Sequence, residues 1–151
     1  MNKWVRRYVG SQLQVVCDQI NTVLSCMVEG EDLHVAAALT DNEEVLFFKV
    51  NSSCDFKVER EKLRPLMERA ISGQLDNDIV WFKYQYASDG VERGMLIDGE
   101  EYQVFLVVSS LDRALRQVVE PLVTTYLRVI ELGIAAHERG ETEMRLQAVK
   151  V

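Results

Sequence analysis

EYQVFLVVSSLDRALRQVVEPLVTTYLRVIELG, residues Glu101–Gly133, carries an apolar strand that feeds directly into a long amphipathic helix. In the strand, Tyr102, Val104, Leu106 and Val108 alternate with Gln103, Phe105 and Val107, so both faces are apolar, as expected inside a sheet rather than at its edge. Ser109 with Asp112 has the S-x-x-D form of a capping box, which predicts a helix starting at the two serines. Leu111, Leu115, Val118, Leu122, Tyr126 and Val129 then recur at helical spacing, flanked by Val119, Val123, Leu127 and Ile130. That stripe is expected to be the buried one. Pro121 does not disturb its phase, which predicts one kinked helix ending at Gly133 or Gly140 and a mobile tail over 141–151.

Upstream of this stretch, Ser11 and Gln14 form an S-x-x-Q capping box that predicts a first helix from Ser11, with Leu13, Val16, Cys17, Ile20, Leu24 and Met27 on its apolar face and Gly30 closing it. Trp4, Val5, Tyr8 and Val9 keep helical spacing too, as an earlier helical turn or as an arm packed back on the domain. Leu33–Leu39 and Val45–Val50 read as a hairpin about Thr40–Glu43, and Ser53–Val58 as a third short strand. Leu63, Leu66, Met67, Ala70 and Ile71 set out a second helix ended by Gly73; Pro65, tolerated in a first turn, places its start near Glu61 or Lys62. Three strands follow, Ile79–Ala87, Arg93–Ile97 and Glu101–Ser109, joined through Asp89-Gly90 and Asp98-Gly99. The expected fold is α+β: a single domain over 1–140, a two-layer antiparallel sheet with helices on one face, in the order α-β-β-(β)-α-β-β-β-α.

The chain has 151 residues, 48% of them hydrophobic and 27% charged, the composition of an ordinary globular domain. Its net charge of -7 argues against nucleic acid, which requires a basic face. Cys17, Cys26 and Cys54 form no even set and no C-x-x-C, so neither a disulfide framework nor a zinc site is expected, and a reducing cytoplasm fits. The cationic start MNKWVRRYVG invites a targeting reading, but Gln12, Gln14, Asp18, Gln19 and Asn21 interrupt any apolar h-region, so neither a signal peptide nor a membrane partner is expected. Asn51-Ser52-Ser53 matches a glycosylation sequon and, without a secretory route, reads as chance.

No motif carries chemistry. His34 and His137 have no spacing to a cysteine or carboxylate pair, and a strand histidine is more often structural than a base. The acidic clusters at 41–44 and 76–78 do not continue as a calcium loop, and neither a phosphate-binding glycine loop nor a G-x-S-x-G elbow occurs. No enzyme activity, catalytic residue, cofactor or metal is therefore expected. The aromatic strand offers a different reading: Trp81, Phe82, Tyr84 and Tyr86 are candidates for a protein-binding surface, against the alternative of core or dimer contact.

The order helix, hairpin with a further short strand, helix, strands and final helix, with EYQVFLVVSSLDRALRQVVEPLVTTYLRVIEL running from last strand into last helix, resembles the type III secretion chaperone fold and, more closely, YbjN-type domains, over about Ser11–Gly133. The resemblance implies a homodimer that binds protein segments and carries no catalytic residues. Three strands after the second helix depart from that fold, and the order is shared by roadblock and longin domains, which scaffold small GTPases. A strand at Ser53–Val58 favours the first family and a loop there the second. A small-molecule sensor with a pocket behind the sheet is a third possibility. The expected function is a non-catalytic protein-binding module, chaperone-like or adaptor, acting as a cytoplasmic homodimer paired through Ile79–Tyr86.

Overall fold

A computed structural model describes residues 1–28, 33–42, 44–53, 58–74, 80–109 and 114–149. In chain order the elements are α1 (Lys3–Met27), β1 (Val35–Asp41), β2 (Glu44–Val50), α2 (Val58–Ile71), β3 (Val80–Lys83), β4 (Tyr86–Ser88), β5 (Val91–Arg93), β6 (Met95–Ile97), β7 (Glu100–Val108) and α3 (Leu115–Val149). The α+β class and the predicted order of elements are found.

The first helix begins well before Ser11. Asn2 caps it, its side chain accepting the Val5 N–H at 2.8 Å, so the earlier helical turn is the correct alternative and Ser11 lies in the helix interior. Val5, Val9, Leu13, Val16, Cys17, Ile20 and Leu24 are its buried row. Gly30 lies outside the described residues.

The sheet runs β2-β1-β7-β3, all antiparallel, and β6 pairs with the opposite end of β7. Val80–Lys83 pairs with Phe105–Val108, and Met95–Ile97 with Glu100–Tyr102, so two segments share one side of a nine-residue strand. Between them β4 and β5 leave the sheet as a separate hairpin. Two of the three strands predicted here are thus split. The first divides after Lys83, the second at Gly94, while Asp89-Gly90 and Asp98-Gly99 take the positive φ angles their tight turns need.

The helices cover both faces of the sheet, which corrects the two-layer arrangement with helices on one face. Ala37, Leu39, Val104, Leu106 and Val108 pack against α1 and α3, whereas Ala36, Ala38, Phe105, Val107 and Val50 pack against Leu63, Met67 and Ala70 of α2. The reason is in the alternation itself: β1 and β7 are apolar on both faces, and the burial of each needs a covering element. The second helix opens at Val58, earlier than predicted, so Pro65 is in its interior. The expected third strand falls largely on residues 54–57, outside the described residues; Ser52 and Ser53 form a turn, and Val58 is helical.

Ser109 lies six residues before the described start of α3, and Asp112 of the expected capping box is outside the described residues. The Ser109 N–H donates to the His34 carbonyl and its hydroxyl accepts the His34 N–H, both at 2.9 Å, which prolongs the β1–β7 pairing. The described helix starts at Leu115 and passes through both Gly133 and Gly140 to Val149. Its buried row is Leu115, Val119, Val123, Leu127, Ile130 and Ile134: Leu115 belongs to the stripe expected to be buried, whereas Val119, Val123, Leu127 and Ile130 were expected to flank it. Val118, Leu122 and Tyr126 are half-buried, and Val129 is 59% exposed. Gly133 lets α1 approach, because a Cβ there would collide with the Tyr8 hydroxyl; one turn away Trp4 stacks on Tyr8 and on His137, with centroids 4.9 and 3.6 Å apart. Asn51 of the sequon is buried, its amide oxygen accepting the Val35 N–H at 2.9 Å and its amide nitrogen donating to Ser53 at 2.7 Å, a structural role. Among the described residues no helix is long and apolar enough to cross a membrane.

Candidate functional site: a cationic cleft

Asp18 is the first acidic residue of the chain, whereas Lys3, Arg6 and Arg7 precede it. The buried row of α1 turns these three cations away from the core and toward the outer strand β2. On β2 the alternation sends Phe48 and Val50 to the α2 side, leaving Phe47 and Lys49 on the α1 side. Gly10 permits the approach of helix and strand, since a Cβ at that position would sit 3.2 Å from the Phe47 ring. The result is a cleft of ≈ 470 Å³ lined by Lys3, Arg6, Arg7, Gly10, Ser11, Phe47 and Lys49.

Four cations therefore line one cleft beside an aromatic ring, with no carboxylate in the lining. Arg6 lies over Phe47, its guanidinium carbon 5.7 Å from the centroid, a cation–π contact. None of the four forms an ion pair among the described residues. The nearest acid on the helix is already used: Asp18 accepts from the Ser52 N–H at 2.6 Å and the Ser52 hydroxyl at 3.0 Å, closing the turn after β2. In a chain with net charge -7 this is a local reversal of sign, of a charge complementary to carboxylates or phosphates.

The residues predicted from sequence are not gathered into a surface. Trp81 packs on the α2 side with Arg116 5.7 Å above its ring, and its indole N–H is buried without a hydrogen-bond partner among the described residues. Phe82 and Tyr86 are half-buried on the opposite side against the α1/α3 core. Tyr84 is 0% exposed, deep in that core, and is corrected from a binding residue to a packing residue. The alternation that separates Trp81 from Phe82 and Tyr84 is as read from the sequence; what covers both sides is the additional helix layer.

Beside Tyr84 lies the most strongly built polar cluster. Glu131 of α3 is 3% exposed and grips the end of the β4–β5 hairpin together with β6: it accepts from the Arg93 guanidinium at 2.8 and 2.9 Å and from the Leu96 N–H at 2.9 Å, and it is also paired with Arg128. Arg128 and Arg93 in turn lie over the Tyr86 ring at 3.9 and 5.3 Å. Burial pushes the Glu131 carboxyl up, but the Arg93 and Leu96 hydrogen bonds and the two guanidinium charges outweigh it and hold the group below the usual carboxylate range. Burial, then the Glu131 charge, raises the Tyr84 phenol. This cluster is saturated with its own partners and serves to fasten the hairpin. Among the described residues no group of three or more His, Cys, Asp or Glu is placed to hold a metal ion.

Lys49 and Phe47 were not legible as site residues, because only the packing of β2 beside α1 brings them to the cations. The acid-free run before Asp18 was the available signal. No family model, curated protein or solved structure matches the chain.

Proposed function

We propose that this chain is a non-catalytic protein-binding module, chaperone-like or adaptor in character, which docks a short acidic segment of a partner protein in the cleft between α1 and β2. One observation carries the reading: Lys3, Arg6, Arg7 and Lys49 line one cleft beside Phe47 without a carboxylate among them, in an otherwise acidic protein. Cations left without counter-charges at a surface cleft steer acidic partners toward it and select among them. A long polyanion such as nucleic acid would extend beyond the cleft onto acidic surface and be repelled, whereas a short acidic segment is confined to it.

The module acts as a homodimer in this proposal. The outer backbone edges of β2 and β3 pair with no other described strand, and such edges favour pairing with a second copy. Pairing through β2 would set two cationic clefts side by side, so β3 is the edge this reading assigns to the dimer.

The test is crosslinked capture of partners from source cells by the native chain and by a folded Arg6→Glu/Arg7→Glu variant, in low and high salt. Partners recovered by the native chain in low salt and lost both in high salt and on charge reversal support the proposal. An identical partner set for the two proteins refutes it.

A further inference from the structure

On the other face of the sheet, α2 stops at Ile71 before the sheet does. Beyond its last turn the floor changes from apolar to polar: buried Thr40 pairs across with Gln103, Lys83 with Phe105, and Glu101 follows on β7. These side chains, with Asn42 and Ile71, line a second cleft of ≈ 420 Å³, inside the range of about 300–1,000 Å³ common for small-molecule sites.

The charges in this cleft are few and of both signs. Glu101 uses one carboxylate oxygen, Oε1, for the Gly94 N–H at 2.7 Å and the Gln103 amide at 3.1 Å, which fixes the group in place; Oε2 accepts no hydrogen bond among the described residues. Lys83 rests its ammonium 5.8 Å from the Phe105 ring centroid and makes no ion pair among the described residues. The Gly94 and Gln103 hydrogen bonds, with smaller contributions from Arg93 and Lys83, hold the Glu101 carboxyl below its usual range, so it is an anion at neutral pH. An anchored carboxylate with a free oxygen and an ammonium with free donors thus share one small cleft without neutralising each other. Phe105 and Ile71 give it an apolar side.

We propose that this cleft binds a free α-amino acid with an apolar side chain, its carboxylate held by Lys83, its ammonium by Glu101, and its side chain against Phe105 and Ile71. A zwitterion places one charge of each sign a few bonds apart, which matches two opposite unpaired groups in one cavity. A simple carboxylate or a simple amine would engage only one of the two groups. Thr40, Asn42 and Gln103 supply neutral hydrogen-bonding groups around the same floor. The site is separate from the cationic cleft, so it stands or falls independently of the partner-binding proposal.

Calorimetric titration of the full chain tests it, with the common apolar L-amino acids as probes and, for L-leucine, with leucinamide and 4-methylpentanoate, which lack the carboxylate and the ammonium charge respectively. The expected result is saturable binding of at least one amino acid at millimolar or lower concentration, weakened at least about tenfold in either leucine analogue. Glu101→Gln keeps an acceptor for the Gly94 N–H and should abolish the preference for the ammonium; Lys83→Met should abolish the preference for the carboxylate. Both variants are checked for native circular dichroism and unfolding midpoint. Should the native chain bind none of the amino acids at millimolar concentration, or should folded Lys83→Met and Glu101→Gln bind as the native chain does, the proposal is overturned.

Discussion

Replacing Glu131 with glutamine keeps the shape of a buried side chain and removes its charge. The native carboxylate serves the Arg93 guanidinium, the Leu96 N–H and Arg128 at once. A glutamine retains one carbonyl oxygen, enough for the Leu96 N–H, and turns two donors toward guanidinium groups that are themselves donors only. Removing one partner of a fully buried ion pair costs about 3–5 kcal/mol, because the other charge stays buried and uncompensated. Here the Arg93 and Arg128 side chains are 23% and 29% exposed, and each can regain some hydration. The expected loss is therefore at the lower end, about 3 kcal/mol, a large part of a typical domain's stability of about 5–15 kcal/mol. Urea unfolding should show a lower midpoint with an unchanged slope, and native-state hydrogen exchange should show faster exchange at the Leu96 amide. A stability change below about 0.5 kcal/mol, with the Leu96 amide still protected, would refute the assignment of Glu131 as the fastening of the hairpin. The same group sets an acid limb. Its folded pKa is depressed, so its contribution is fully present above the unfolded carboxylate value of about 4.3 and is lost as pH falls through the folded value. The native protein should lose stability over that acidic window more steeply than Glu131→Gln, and parallel curves would contradict the argument.

Other substitutions probe the remaining contacts. Leu127→Ala, in the buried row of α3, should cost about 2–5 kcal/mol in denaturant unfolding, whereas Val129→Ala, on the same helix but exposed, should change stability by less than about 0.5 kcal/mol. Equal effects would mean that the packing row has been misassigned. Gly133→Ala drives a methyl group into the Tyr8 hydroxyl and should cost about 1–3 kcal/mol, with Tyr8→Phe in the same chain recovering part of the loss; additive losses would show that the helix crossing does not depend on this contact. Light scattering over a hundredfold dilution should show a dimer at the concentrated end, and a monomer throughout would remove the proposed pairing through β3.

The architecture was most legible where periodicity and turn chemistry act within a few residues. The β1/β2 hairpin, the two Asp-Gly turns and the both-faced apolar pattern of β7 all correspond to local rules. What the local rules do not settle is which of two adjacent apolar rows faces the sheet. On α3 the rows through Leu122 and Val123 differ by one residue, and each is apolar enough to be buried. The choice falls to Val123 because the Gly133 crossing and the Glu131 clasp fix the rotation of the helix from outside it. The caps show the same competition. Ser109 satisfies the capping pattern, yet its hydrogen bonds go to His34, because extending the ladder between two central strands satisfies a backbone pair as well as a hydroxyl. The candidate site follows from that logic too. Lys3, Arg6 and Arg7 were visible as a cationic start, but a charge cluster becomes a cleft only when a strand remote in sequence closes it. Phe47 and Lys49 do so because β2 is the outer strand, next to the end of α1 that carries the cations, with the glycine between them. The aromatic strand went the other way. Its alternation was read correctly, but the exposed face inferred from it required a single helix layer, and the second layer formed by α2 removes that face.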